Sequence, residues 1–136
     1  MRITTLPLLL LMLLGFAQDP RSNSKVDLAE EFKIKNGEEV VVRGEKLRVT
    51  FSSVFSESRC AIGVDCVWVG NAAIAIEVAK KNKKQVVAML NTFLEPKEVA
   101  YRGFKIKLVA LNPYPNFREL IDPKDYVATM VVTKNE

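Results

Sequence analysis

Apolar and polar residues alternate with period two along most of the chain, the pattern of strands with one buried face. Phe32 and Ile34 alternate with Glu31, Lys33 and Lys35 up to Asn36-Gly37. That dipeptide between two alternating runs predicts a hairpin leading into the valine-rich stretch 38–43. Gly44 breaks the run, and Leu47, Val49, Phe51 and Phe55 then mark the clearest half-buried strand. Ala72, Ile74, Ile76 and Val78 share one face of the next strand, which ends in Lys80, Lys81, Asn82, Lys83 and Lys84. A further strand over 85–91 makes those lysines a solvated hairpin tip. Phe104, Ile106 and Leu108 predict a strand that stops at Asn112, Pro113, Tyr114 and Pro115, where proline removes ladder donors. Tyr126, Ala128, Met130 and Val132 line the last one. Only 26–32 and 116–120 hint at helix, and both are short.

About seven short strands with turn signals between them predict an all-β fold, a single antiparallel β-sandwich, immunoglobulin-like or barrel-like. The spacing Ile121-x-Pro123-x-x-Tyr126 is similar to the tyrosine corner of immunoglobulin-like and fibronectin-like domains, where the tyrosine hydroxyl bonds backbone a few residues upstream. Asp122, Pro123, Lys124 and Asp125 also suit a type I turn.

The sheet pattern is interrupted at 59–71, which holds Cys60 and Cys66, the only cysteines, and Trp68, the only tryptophan. Pairing of Cys60 with Cys66 is expected, with Gly63 allowing the five intervening residues to fold back. Trp68 is expected to pack against the sulfurs or the opposite sheet as a core aromatic. Arg59 has two readings. It either bonds carbonyls of the bent loop and pairs with Glu57 or Asp65, which is favoured, or it presents its guanidinium fork to a carboxylate or phosphate.

The string Arg59-Cys60-x-x-Gly63-Val64-x-Cys66-x-Trp68-x-Gly70-Asn71-Ala72, followed by Pro113-Tyr114-Pro115 and the Ile121 to Tyr126 element, resembles small exported bacterial all-β proteins of unassigned function. The resemblance covers most of the chain after the leader. Ala61 stands where the family pattern has proline. What the resemblance implies is export and an all-β domain, and no activity.

Composition adds a compartment. Arg2, an uncharged run over 6–14 and small residues at Gly15 and Ala17 predict a signal peptide over 1–17. A polar leader over 18–27, expected to be disordered, precedes a single domain over 28–136. The apolar run is shorter than the roughly 20 residues of a spanning helix, and no membrane span is expected in the mature chain. Cutting after Ala17 leaves 119 of the 136 residues and, by removing Arg2, lowers the net charge from +4 to +3. Such a charge does not imply nucleic acid, and the lysine tip lacks the interleaved aromatics of single-strand binders. The protein is expected to be secreted or periplasmic.

The chain has no histidine, which excludes Ser-His-Asp and Cys-His nucleophiles and histidine-ligated metals. Two cysteines cannot complete a structural zinc site. Glu119, Asp122 and Asp125 offer oxygen donors but no Asp-rich calcium loop. Carboxylate pairs such as Glu38 with Glu39, or Asp122 with Asp125, have plainer roles at turns. No catalytic residue, metal or cofactor is expected. The sequence therefore reads as a secreted, non-enzymatic binding domain, with Arg59, Ile62, Val64, Asp65 and Trp68 facing an extracellular or envelope protein or glycan. Two alternatives stand beside it. One is an inhibitor that offers the disulfide loop to a secreted hydrolase, which requires Ile62 and Val64 to be exposed. The other is a small-molecule or lipid carrier.

Overall fold

The structure is a computed structural model that describes residues 24–135. The segment 1–17, expected to be a signal peptide, lies outside the described residues. Among the described residues nine strands form two sheets: β1 (Ser24–Val26), β2 (Glu31–Lys35), β3 (Glu39–Val42), β4 (Leu47–Glu57), β5 (Ala72–Lys80), β6 (Val86–Asn91), β7 (Glu98–Tyr101), β8 (Phe104–Asn112) and β9 (Val127–Lys134). One sheet has the order β1-β3-β4-β5-β6 and the other β2-β9-β8-β7, antiparallel except for β1 against β3. The all-β sandwich expected from the alternation is the fold observed.

The apolar positions of that alternation meet between the sheets. Leu47, Val49 and Phe51 of β4 and Ile74, Ile76 and Val78 of β5 are buried, as are Phe104, Ile106 and Leu108 of β8 and Ala128, Met130 and Val132 of β9. The intervening residues of β4 and β8 face outward, which is why one-residue alternation was the dominant signal. A β-bulge between Leu108 and Ala110 shifts the alternation by one residue, so that Leu111 and not Ala110 is buried beyond Leu108, while Val109 stays exposed.

Several expectations are corrected. Asn36-Gly37 does make a tight turn, with the Glu38 N–H donating to the Lys35 carbonyl at 2.9 Å, but it joins no hairpin. β2 pairs with β9, whereas β3 pairs with β4 in the other sheet, so the turn passes the chain between layers. The Asn36 N–H donates to Tyr126 O and the Gly37 N–H to Phe51 O, one bond to each layer, which holds the turn across them. Residues 24–26, read as part of a disordered leader, form β1 in register with Val40 to Val42. The helical hints fail: 26–32 is a strand end, a turn and the start of β2, and 116–120 is a turn. The Asp122 to Asp125 turn is a short 3-10 element, Pro123–Asp125, capped by the Asp122 side chain.

The two ends of the sandwich differ. One carries the lysine-rich β5–β6 turn, closed by Tyr101, whose hydroxyl donates to Lys84 O at 2.8 Å and accepts from the Lys80 N–H at 3.1 Å. The other gathers the three irregular connections, 58–71, 92–97 and 113–126.

Candidate functional site

The irregular end is built on Arg59, which leaves β4 beside Glu57 and is 7% exposed. Its Nε donates to Glu57 Oε1 at 2.8 Å and its Nη2 to Glu57 Oε2 at 2.6 Å. Nη1 reaches Leu111 O at 2.6 Å and Nη2 also reaches Pro113 O at 3.1 Å, at the end of β8 in the opposite sheet. The guanidinium lies 4.5 Å from the Tyr114 ring centroid. A planar five-donor group bridges one carboxylate and two carbonyls in this way where an ammonium would not. Arg59 is therefore a strut between the layers, and its fork is not offered to a ligand.

Glu57 also accepts from the Tyr126 hydroxyl at 3.1 Å. This corrects the tyrosine-corner expectation, because the hydroxyl bonds a carboxylate 69 residues away and not upstream backbone. Burial by itself would raise the Glu57 pKa, but the hydrogen bonds and charge of Arg59, with the Tyr126 hydroxyl, outweigh it and hold the carboxyl below its ordinary value. Tyr126 is pushed up to about 12 by burial and by the adjacent Glu57 carboxylate, with Arg59 opposing.

Gly70 and Asn71 close the base of the connection. Gly70 has φ +74°, and a Cβ there would fall on the Ser58 carbonyl. Ser58 N–H and Oγ both donate to Asn71 O at 2.8 Å, and the buried Asn71 Oδ1 accepts from the Phe93 and Leu94 N–H groups at 3.0 Å each. One side chain thus ties the cysteine loop to the 92–97 turn. Its part was missed because asparagine after glycine reads as an ordinary turn residue.

Above this base the disulfide Cys60–Cys66 closes the ring, with Cα atoms 5.9 Å apart. A disulfide fits an oxidising environment. The Ile62 N–H donates to Pro115 O at 2.8 Å, and the Gly63 backbone lies against the Phe117 ring, so the ring rests on the 113–120 connection. Ile62, Val64 and Asp65 are exposed, so the sequence-nominated side chains of the ring do reach solvent. Trp68 corrects the core expectation. It is half exposed and meets Phe93 edge to face, with centroids 6.1 Å apart. The reason is local: the tight pass of Gly70 over Ser58 ends the strand pattern, so 67–69 run outside the sheet.

The result is an apolar pole. Ile62, Val64, Val67, Trp68, Val69, Phe93, Leu94, Tyr114, Phe117 and Leu120 are all exposed on these three connections. Between them lies an open cleft of about 390 Å³ lined by Val69, Phe93, Val109 and Tyr114, with Arg59 and Asn112 contributing polar edges. Contiguous exposed apolar surface of this kind marks interaction sites. Glu119, Asp122 and Asp125 line a smaller cleft of about 150 Å³, but among the described residues no three acidic or cysteine side chains converge to hold a metal. No helix among the described residues is long and apolar enough to cross a membrane.

No family model, curated protein or solved structure matches the chain.

Proposed function

We propose that the protein is a secreted, non-enzymatic binding domain that engages an extracellular or envelope partner through the apolar pole. The observation that carries this reading is the concentration of ten large exposed apolar side chains on three connections that are braced from beneath. Arg59, Asn71 and the disulfide fix those connections before any partner arrives, so little ordering entropy opposes binding. The resemblance to small exported bacterial β-proteins supports the compartment.

The inhibitor reading keeps one specific support, the exposure of Ile62 and Val64 inside a covalently closed ring. Affinity capture from envelope extract and culture medium tests the main reading, using the exported chain beside a Val67→Asp, Leu120→Asp variant. A ligand retained by the first and lost by the second supports it; equal retention places binding elsewhere. Inhibition of secreted hydrolases, lost on Ile62→Asp, would select the inhibitor reading.

A further inference from the structure

We infer that β6 is the edge at which a second copy of this chain docks, the two strands joining antiparallel about a two-fold axis at Ala88. The inference stands apart from the apolar pole and its partner. Its first support is the direction of the backbone. The Thr92 N–H donates to Ala72 O at the start of β5, whereas the Asn91 N–H donates to Pro96 O on the other side, and the β5–β6 register runs without a shift from Asn91 to Val86. Main-chain groups alternate in direction along an antiparallel strand, so those of Leu90, Ala88 and Val86 face β5 and those of Met89 and Val87 face away. Among the described residues no backbone group bonds Met89 or Val87 from that side. Another extended strand satisfies them.

The other sheet edges carry the features that keep strands apart. β1 is three residues long with Lys25 at its centre, β7 is four long and begins with Glu98, and β2 alternates Glu31, Lys33 and Lys35 with its apolar residues. β6 has none of these. Gln85 to Leu94 is uncharged, the strand holds no proline or bulge, and Val86 and Val87 are exposed. An edge of that kind left open recruits strands indiscriminately, and a two-fold partner uses it up.

Sequence and charge select a second copy in the antiparallel sense. With Ala88 on the axis, Val87 and Met89 of one copy exchange backbone bonds with Met89 and Val87 of the other. Leu90 is buried and Ala88 packs against the core, so Val87 and Met89 point to the outer face, where they meet apolar against apolar. Val86 meets Leu90 on the inner face in the same way. Ala88 meets its own copy as a non-hydrogen-bonded pair with Cα atoms about 4.5 Å apart, a spacing that its small side chain admits. The two ends of the molecule differ in charge. The connections at the lysine end carry Arg43, Lys46, Lys81, Lys83, Lys84 and Arg102 against Asp27, Glu30 and Glu45. Those at the apolar end carry Glu38, Asp65, Glu95, Glu119, Asp122 and Asp125 against Arg59, Lys97, Arg118 and Lys124. A parallel pair would set lysine turn beside lysine turn. The antiparallel pair sets the positive end of each copy beside the negative end of the other, with Lys81 to Lys84 next to the connection that holds Glu95 and Lys97. Both five-stranded sheets then run on as one, and the two apolar poles lie at opposite ends of it.

Sedimentation equilibrium of the chain beginning at Gln18 tests the inference. Expected is a dimer with no larger species, because the pairing leaves no β6 edge free. Val87→Lys, Met89→Lys sets like charges directly opposite across the axis and should weaken dimerisation at least tenfold with unchanged circular dichroism. Val87→Lys, Met89→Glu charges the same two positions but sets opposite signs across the axis, and should keep the dimer. A chain that stays monomeric at millimolar concentration, growth beyond the dimer, or a dimer that survives the paired lysines overturns the inference. Equal loss of the dimer in both variants overturns the register centred on Ala88. A dimer lost instead on Val67→Asp, Leu120→Asp moves self-association to the apolar pole and overturns the assignment to β6. If the monomeric chain captures another protein that the paired lysines release, the edge takes a foreign strand and the second copy falls.

Discussion

Arg59 and Glu57 form a two-point ion pair two residues apart in sequence, Nε to Oε1 at 2.8 Å and Nη2 to Oε2 at 2.6 Å, at the point where β4 leaves its sheet. The pair turns the arginine so that its remaining donors reach the β8 carbonyls of the other layer. Removing the arginine leaves a half-buried carboxylate and two carbonyls without their donor. Arg59→Ala should therefore lower unfolding free energy by about 3–5 kcal/mol, the range for breaking a buried pair on one side. Arg59→Lys should recover only a part, because an ammonium cannot bridge three acceptors in one plane. Urea unfolding of the three proteins checks both statements.

The same cluster sets two limits of pH. Glu57 has a folded pKa below its ordinary 4.5, so its contribution is complete above that value and is lost as pH falls through the folded pKa. Tyr126 has a folded pKa raised from 10.0 to about 12, so its contribution is complete below 10 and is lost as pH rises from there toward 12. Melting temperature against pH should accordingly fall at both ends. Glu57→Gln should flatten the acid limb and Tyr126→Phe the alkaline one; a Tyr126→Phe curve that falls as steeply between pH 10 and 12 would remove the tyrosine from the account.

Glycine substitutions should separate strain from collision. Gly37 and Gly70 both have positive φ, +91° and +74°, but nothing lies within 4 Å of a Cβ on Gly37, whereas one on Gly70 meets the Ser58 backbone. Gly37→Ala should cost about 1–2 kcal/mol, the left-handed penalty alone. Gly70→Ala should cost more and should also release the Ser58–Asn71 bonds, visible as faster amide exchange at Phe93 and Leu94.

Reduction of Cys60–Cys66 removes a constraint worth about 2 kcal/mol for so short a ring. Because Arg59, Gly70 and Asn71 hold the base from outside the ring, far-ultraviolet circular dichroism should be retained while exchange quickens over 61–65. Loss of the sheet signal on reduction would assign the disulfide a larger part than the ring size allows.

The core strands were legible because each buries a single face, and alternation such as Leu47, Val49 and Phe51 records that directly. β1 and β7 were not, being three and four residues long, too short for a period to show. Asn36-Gly37 was legible as a turn and not as a crossing, since the same backbone serves either and the choice depends on Phe51 and Tyr126, distant in sequence. At the site, Arg59 beside Glu57 was readable from adjacency, and so was the disulfide. The outward turn of Trp68 was not, because it follows from the close pass of Gly70 over Ser58. The acceptor of the Tyr126 hydroxyl was not legible either, because the local spacing points to nearby backbone while Glu57 lies on β4.

The sheet order has a consequence for the time course of assembly. Strands β3 to β6 follow one another without a break, so residues 39–91 can zip into a meander while the rest of the chain is still being made. β2 has one neighbour, β9, and Glu31 to Lys35 pair with Val127 to Val131 at the far end of the chain. Contacts of such separation form slowly because a long loop must close first. The second layer is thus sealed last, and until β9 emerges β2 is a strand without a ladder partner.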